Sequence, residues 1–138
     1  MNTEKHLIRR IFAGIIDYSI VLTLTYIYIL IFGEKNDTGE YSVNGLKTIP
    51  IFIFWFIYFC IIETALNATF GNFLLKLKPV DLKTEKNITL KQSFLRHLMD
   101  PIDMFFFGLV AIIIIKNSQE SQRLGDLLAK TKVLKLNE

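Results

Sequence analysis

Asp17 and Glu63 stand inside long apolar blocks of this 138-residue chain, and Asp103 stands at the start of a third block. An ionised acid at such a position in a membrane costs about 2.5–3.5 kcal/mol to insert. Acids that remain there face the protein interior, where they either pair with a base or exchange a proton or a small cation. These three carboxylates are therefore the first candidates for chemistry.

Helix geometry predicts how deep the acids lie. Asp17 is roughly 9 Å from the start of its block, and Glu63 is roughly 6 Å from the end of a block that runs in the opposite direction. Asp103 opens the third block on the same side. All three carboxylates are therefore expected in one layer, in the cytoplasmic third of the membrane.

Basic residues are expected at the same level as the acids. They are Arg9, Arg10, Arg96, His97 and Arg123. Arg10 and Asp17 share a helix face but lie roughly 10 Å apart along the axis, so each is expected to reach a group on another element.

Two interpretations of these charges compete. In the first, the acids and arginines neutralise one another and fix how the helices dock. In the second, one acid lacks a basic partner and exchanges a proton or a cation. A third use, binding of anionic lipid or of a partner by the basic inner face, is also open.

Other residue types give no sign of catalysis or metal binding. His6 and His97 are not spaced with Cys or Glu as metal ligands and are expected to be solvated or to face headgroups, so neither a metal site nor a cofactor is predicted. Cys60, Trp55 and Tyr58 are expected to be packing residues. Because no activated nucleophile, phosphate loop or pattern typical of nucleic-acid binding occurs, we expect neither an enzyme nor a nucleic-acid-binding protein.

The elements that must position these charges are apolar helices. Hydrophobic residues make up 51% of the chain and are gathered in blocks, which is typical of a membrane protein. We expect one all-α membrane domain over residues 1–138, with membrane-embedded helices at about 9–32, 49–68 and 94–116. The third apolar block, Ile102 to Ile115, has only about 14 residues, so it is either re-entrant or crosses fully after extension back to Leu98.

Three segments outside these helices have recognisable patterns. "GEKNDTGEYSVNGLKT" is rich in turn residues and predicts a short polar loop or hairpin. "LKLKPV" alternates apolar and basic residues and predicts a short half-buried strand near the headgroups. The C-terminal tail predicts an amphipathic helix at about 119–130.

The distribution of basic residues predicts the orientation. Lys and Arg number three in the first ten residues, two in the loop 33–48, six in the loop 67–97 and five from Lys116 onward. The positive-inside rule therefore places the N-terminus and the second loop in the cytoplasm. The basic tail favours the same side, and this requires a re-entrant third segment, because three full crossings would carry the tail outside.

Four motifs together resemble the RDD family of small bacterial membrane proteins. They are "RRIFAGIID", "FGNFLLKLKPVD", "ITLKQSFLRHLMDPID" and "QRLGDLLAKTKVL", and they cover nearly the whole chain in order. The resemblance identifies Arg10 as the family's Arg and Asp17 as its first Asp, while Asp103 and Asp126 both qualify as the second. Pro79 stands where the family commonly has Val and puts a regular strand there in doubt.

The opening of the last motif predicts how the tail is used. Arg123 and Asp126 are three residues apart on one helix face, so they are expected to pair locally, and Gly125 allows close backbone approach. We expect the tail helix to fold back on the membrane helices and "TKVLKL" to return as a strand beside "LKLKPV". The alternative is a plain amphipathic helix on the membrane surface.

For function, the resemblance implies transport of unidentified ligands, with cation/proton exchange proposed for some members. We expect a multi-pass protein of the bacterial cytoplasmic (inner) membrane, in contact with lipids and with no nucleic-acid partner. Three short helices cannot enclose an ion path alone, so a cation or proton transporter would be a homo-oligomer or part of a larger partner complex. The alternative is a non-catalytic scaffold or accessory subunit of a larger membrane complex. The candidate residues for either role are Arg10, Asp17, Glu63, Arg96, Asp103, Arg123 and Asp126.

Overall fold

The first helix long and apolar enough to span a membrane is α1, Leu7–Phe32, and each such helix is here called a span. A computed structural model describes residues 6–137 of the chain, without the side chain of Phe107. At 1.5 Å per residue, the 26 residues of α1 extend about 39 Å, which exceeds the thickness of a hydrocarbon core. Ala13, Asp17 and Val21 are its buried residues, spaced by four, so a narrow stripe of the helix faces the protein.

The second span runs from Gly45 to Leu66. It begins with a 3₁₀ turn, Gly45–Thr48, and continues as α2, Ile49–Phe56, a π-helical segment, Ile57–Ile62, and α3, Glu63–Leu66, in that order. The wider π turn brings Phe59, Cys60 and Glu63 to the interior, where each is at most 1% exposed. The prediction that Cys60 is a packing residue is confirmed.

A short hairpin joins the two spans where the polar loop was predicted. Strand β1, Glu34–Lys35, pairs antiparallel with β2, Tyr41–Ser42. The turn is closed by the Asn36 side-chain carbonyl, which accepts the Thr38 and Glu40 N–H groups at 3.0 and 2.8 Å. Such Asx turns are a common way to reverse a polar loop.

A second antiparallel pair joins the loop after the second span to the C-terminal tail. The short helix α4, Phe70–Leu74, leads into β3, Leu77–Asp81, which pairs with β4, Thr131–Lys135. The predicted return of the tail as a strand beside "LKLKPV" is therefore confirmed. The all-helical fold class is wrong for the loops and the tail, since both contain β structure.

Pro79 does not interrupt β3, although its ring removes a backbone donor. Leu136 N–H donates to the Lys76 carbonyl at 2.8 Å, and hydrogen-bonded pairs alternate along an antiparallel ladder. With Pro79 opposite Val133, the proline takes a position whose N–H would point away from β4. The doubt about a regular strand at this position was wrong for that reason.

The third apolar segment is broken where one helix at 94–116 was predicted. Helix α5, Leu90–Leu98, begins with a capping box formed by Thr89 and Gln92. Helix α6, Asp100–Asp103, and helix α7, Phe105–Asn117, follow. The axis turns by 114° between Leu90–Asp103 and Gly108–Asn117, so two helices are long and apolar enough to cross a membrane, or three if this bent pair counts as one.

The tail packs against the rest of the protein and is not a plain surface helix. Helix α8, Leu124–Ala129, is shorter than the predicted 119–130, because Arg123 is extended and Lys130 is left-handed, with a φ of 55°. A Cβ on Gly125 would overlap the Arg96 carbonyl oxygen, so this glycine allows α8 to lie directly on α5. The tail thereby joins the same end of the molecule as the start of α1.

Candidate functional site

Eight charged or titratable residues from five helices meet at one end of the protein. The group contains four carboxylates, three guanidinium groups and one imidazole, and we name it the charged cluster. Its members are Arg10, Glu63, Arg96, His97, Asp100, Asp103, Arg123 and Asp126. Every carboxylate of the charged cluster is at most 2% exposed.

Asp126 ties the tail to two other elements. One carboxylate oxygen accepts from Arg10 at 2.6 Å, and the other accepts from Arg96 Nε at 2.8 Å. Arg10 also donates to the carbonyl of Ser121, ahead of α8. One tail residue therefore joins the start of α1 to α5, which agrees with the expectation that Arg10 reaches a group on another element.

Glu63 repeats this arrangement at the end of the second span. Its Oε1 accepts from Arg96 NH1 at 2.6 Å, and its Oε2 accepts from the Ser93 hydroxyl at 2.5 Å. Arg96 thus binds both Glu63 and Asp126 while it is only 2% exposed. A buried arginine with two directed acids has its charge compensated, and removal of either acid would leave it with a single charged partner in a region of low dielectric constant.

His97 lies between two acids. Its Nε2 is 3.1 Å from Glu63 Oε2, and its Nδ1 is 2.8 Å from Asp100 Oδ2. A neutral imidazole has one N–H, so two ionised carboxylates can be satisfied together only by the doubly protonated ring. The expectation of a solvated histidine was wrong, because the helical spacing of His97 and Asp100 turns both side chains inward.

Arg123 pairs across the fold and not along its own helix. Its NH1 is 2.7 Å from Asp100 Oδ1, and its Nε is 3.9 Å from Asp103 Oδ2. The predicted local pair with Asp126 is wrong at the side-chain level, because Arg123 precedes α8 in an extended conformation. Asp126 instead accepts the backbone N–H of Arg123 at 3.2 Å.

Asp103 holds the first turn of α8. Its two oxygens accept the backbone N–H groups of Leu124 and Gly125, each at 3.1 Å. An acid at a helix N-terminus satisfies donors that the helix leaves open. Asp103 and Asp126 therefore both fix the tail, one through its backbone and one through side chains.

Electrostatic interactions favour the ionised forms of Asp126 and Arg123 in the tail. Burial alone would raise the pKa of the Asp126 carboxyl, but the positive charges of Arg10, Arg96 and Arg123 hold that pKa well below its ordinary value. Burial acts to lower the pKa of Arg123, and the nearby acids, led by Asp100, outweigh burial and raise the pKa. Both groups stay charged near neutral pH.

Asp17 lies beside the charged cluster with a different set of partners. Its carboxylate accepts from the Tyr58 hydroxyl at 2.7 Å, the Thr69 hydroxyl at 2.6 Å and the Gly71 N–H at 2.7 Å. Within residues 6–137, no base lies at ion-pair distance from it. A Cβ on Gly71 would overlap the Ala13 carbonyl oxygen and lie 2.9 Å from the Asp17 carboxyl, so this glycine permits the contact between α4 and α1.

The structure brings the seven candidate residues to one end of the protein. Six belong to the charged cluster, and Asp17 is adjacent to it. Sequence reasoning missed the roles of Asp100 and Tyr18, which share a 2.5 Å hydrogen bond. It also treated Tyr58 as packing bulk, although its hydroxyl binds Asp17. The i, i+3 spacing of His97 and Asp100, which places both on one helix face, was the sequence signal that could have identified Asp100.

A groove opens from the charged cluster between the two spans and α7. Its volume is about 1210 Å³, and residues of the cluster line one end of it. Apolar side chains line the rest, among them Val21, Leu22, Phe52, Trp55 and Ile112. Among the described residues, no group of three His, Cys, Asp or Glu side chains could hold a metal ion.

Comparison with protein families gives a match over nearly the whole chain. The model of the RDD family matches residues 5–130, a range that contains both spans, the bent third segment, the charged cluster and α8. A comparison with curated proteins found no match, and a comparison with solved structures found none either. The extent of the family match, from ahead of α1 to the end of α8, shows that this chain, a membrane protein by its apolar spans, belongs to the RDD family.

Proposed function

We propose that this chain is a non-catalytic scaffold or accessory subunit of a larger membrane complex, in the bacterial cytoplasmic membrane. The observation that carries the proposal is the mutual pairing of the charged cluster. Arg10, Arg96 and Arg123 each face an acid of the same chain at 2.6–2.8 Å. An ion path needs side chains that bind and release charge, whereas these side chains hold helices, loop and tail together.

The orientation proposed with this role has both termini in the cytoplasm. The tail residue Asp126 binds Arg10, near the start of α1, so the tail and the N-terminal end of α1 share one end of the molecule. With two full spans, that geometry supports a re-entrant third segment, bent by 114°. The positive-inside rule assigns this basic end to the cytoplasm.

The membrane faces of the spans leave room for a partner. Helix α1 buries only Ala13, Asp17 and Val21, and leaves most of its apolar length uncovered by this chain. Leu24 and Ile31, for example, are 49% and 66% exposed. Lipid would cover such a face in a monomer, and helices of a partner or of a second copy would cover it in a complex.

Site-specific photocrosslinking in intact membranes tests the proposal. A photoactivatable residue at Leu24, on the exposed face of α1, should give one protein adduct of defined mass, whereas the same residue at Thr38, in the hairpin between the spans, should not. Native mass spectrometry of the purified complex should give a fixed stoichiometry. A monomer whose Leu24 position crosslinks only to lipid would contradict the proposal.

A second candidate function, cation or proton exchange, rests on Asp17 alone. This buried acid lines the groove and is held by hydroxyl and N–H donors, so its charge is not cancelled by a base among residues 6–137. Purified protein in liposomes distinguishes the two functions. Cation-driven proton flux that disappears in Asp17→Asn but persists in Asp103→Asn would favour exchange. The scaffold proposal expects no flux from either variant or from the wild type.

A further inference from the structure

Four exposed lysines gather where the tail, β3 and the start of α5 meet, and we name them the lysine patch. Its members are Lys83, Lys86, Lys91 and Lys130. Leu82 N–H donates to the Lys130 carbonyl at 3.0 Å, and Asp81 N–H donates to the carbonyl of Lys86 at 2.9 Å. Gln92, in the first turn of α5, donates from its side chain to Asp81 Oδ2 at 2.8 Å. These contacts hold the three segments that carry the lysines side by side.

The lysine patch carries positive charge that this chain does not neutralise. Among residues 6–137, none of its four ammonium groups lies at ion-pair distance from an acid. The Asp81 carboxylate lies in the same region, where it accepts the backbone N–H groups of Lys83 and Thr84 at 3.0 and 2.9 Å. Glu85 pairs with Lys132 at 2.6 Å. The surface therefore stays positive when both acids are counted.

An apolar stripe on α5 begins beside the lysine patch. Leu90, Phe94 and Leu98 recur every four residues, so they lie on one face of the helix, and we name them the α5 stripe. These side chains are 44%, 37% and 45% exposed. Arg96 and His97, on the other side of α5, belong to the buried charged cluster. The α5 stripe is therefore turned away from the protein interior.

Contacts with the second span show how α5 lies relative to the membrane. The Ser93 hydroxyl donates to Glu63 at 2.5 Å, at the level of the charged cluster. Phe94 instead contacts Trp55 and Phe56, with ring centroids 6.3 and 6.2 Å away. These two rings belong to residues roughly 10 Å further along the span from Glu63. The α5 stripe therefore faces acyl chains, while the long stems of the lysines let their ammonium groups reach the headgroups.

We propose that the lysine patch and the α5 stripe together bind an anionic phospholipid of the phosphatidylglycerol class. The ammonium groups donate to the phosphate, and an acyl chain lies along the α5 stripe. A zwitterionic headgroup brings a positive group of its own beside the four lysines, so it is bound less tightly. This inference goes beyond the scaffold proposal and does not depend on it, because the lipid contact requires no partner protein.

Charge and apolar surface together favour a lipid over other anionic ligands. A nucleic acid or an acidic protein segment would match the positive charge of the lysine patch but would make no use of the α5 stripe. A free phosphate ion would do the same. A phospholipid has an anionic end and an apolar remainder, which matches both parts of this surface.

Native mass spectrometry of the full chain in detergent tests the inference, with phosphatidylglycerol or phosphatidylcholine added in a titration. One lysine near an anionic membrane surface changes binding about fivefold. For four lysines and the acid Asp81, phosphatidylglycerol should bind about a hundredfold more tightly than phosphatidylcholine. The double substitution Lys91→Gln with Lys130→Gln should weaken the binding of phosphatidylglycerol about twenty-five-fold and leave that of phosphatidylcholine unchanged.

The matched control removes two exposed lysines at the other end of the spans. Lys35→Gln with Lys47→Gln lowers the net charge of the chain by the same amount and should retain the full preference for phosphatidylglycerol. Equal losses from the two double variants, or a preference that survives Lys91→Gln with Lys130→Gln, would overturn the inference. Glycerophosphoglycerol, the headgroup without acyl chains, should not displace the lipid at equal concentration. Displacement by it would also overturn the inference and would assign the lysine patch to soluble anions.

Discussion

The two ends of this small protein are held together in different ways. At one end, the charged cluster joins α1, α3, α5 and α6 to the tail through short directed contacts, such as the 2.6 Å pairs of Asp126 with Arg10 and of Glu63 with Arg96. Away from the charged cluster, the two spans and α7 separate around a groove of about 1210 Å³. Val21 is the last buried residue of α1, and beyond it Tyr28 still contacts Phe54 at a ring-centroid distance of 5.9 Å and donates to the Lys47 carbonyl at 2.9 Å.

The difference follows from the surroundings of each end, which are lipid for the apolar end and the membrane boundary for the charged cluster. Lipid is as apolar as leucine, so apolar contact between helices in a bilayer gains little and leaves the spans free to part. Charges buried at the membrane boundary are costly when unpaired, so they specify their partners strongly. The charged cluster therefore sets the arrangement of the helices, and the apolar end remains available for lipid or for a partner.

The largest effect should come from Asp126→Asn. If this substitution proved harmless, the charged cluster would not be what holds that end of the protein together. Asn keeps the shape of the side chain but leaves Arg10 and Arg96 without a shared counter-charge in a buried site. Breaking a buried pair in this way lowers the free energy of unfolding by about 3–5 kcal/mol. Denaturant titration of the purified protein in detergent, followed by circular dichroism, measures the loss.

The control for this prediction is Glu34→Gln. Glu34 of the hairpin pairs with Lys47 of the following 3₁₀ turn at 2.8 Å, and both side chains are about half exposed or more, so loss of this pair should leave the unfolding curve unchanged. Equal effects from the two substitutions would mean that burial of the charged cluster contributes nothing to stability.

A sequence without coordinates could predict the charged residues but not their pairing. Asp17, Glu63 and Asp103 attract attention because acids in apolar blocks are costly by type alone. The partner of each acid depends on how short connections fold in three dimensions. Arg123 shows the limit, because helical spacing predicted a pair with Asp126, whereas its extended conformation ahead of α8 directs the guanidinium to Asp100.

The fold was predicted in the same uneven way. Two spans and a returning strand follow from block length and alternation, which are local properties. The bend between Asp103 and Gly108 does not, since it involves the positive φ of Gly108, 87°, and the contacts of Asp103 with the tail. The hydroxyl donors to Asp17 were also missed, because Tyr58 in an aromatic helix is equally consistent with packing.

An intermediate effect is expected from Gly71→Ala, which tests the close contact of α4 with α1 beside the charged cluster. The added Cβ would overlap the Ala13 carbonyl oxygen and press on the Asp17 carboxyl, and neither can move away freely. Such overpacking costs about 1–3 kcal/mol of unfolding free energy. The same denaturant titration measures this change.

Gly14→Ala is the matched control, since it also lies where α1 meets its neighbours. The nearest atom to its added Cβ is the end of the flexible Met104 side chain, at 3.3 Å, which can shift to make room. Gly14→Ala should therefore be close to neutral and could stabilise α1 through its better helix propensity. If Gly14→Ala were the more damaging of the two, the close backbone contact of α4 with α1 would not be a main support of the fold.

The smallest effect is expected from changing the pH above the range in which carboxylates titrate. The pKa of Asp126 is lower in the folded protein than its ordinary value of 3.8, because three arginines outweigh the opposing effect of burial. A lowered pKa contributes stability that is complete above the ordinary value and is lost as the pH falls through the folded value. The carboxylate contribution should therefore be constant above about pH 5 and decline below about pH 4. Asp81 in β3, with a pKa lowered to about 2 mainly by the Thr84 backbone N–H, adds to the same decline.

The contribution of Asp126 is therefore measured as the difference in unfolding free energy between wild type and Asp126→Asn, and this difference should become smaller as the pH falls below about 4. A loss of stability as the pH rises above about 6 belongs to a different group, His97, whose doubly protonated ring bridges Glu63 and Asp100, and it should be the same in wild type and in Asp81→Asn.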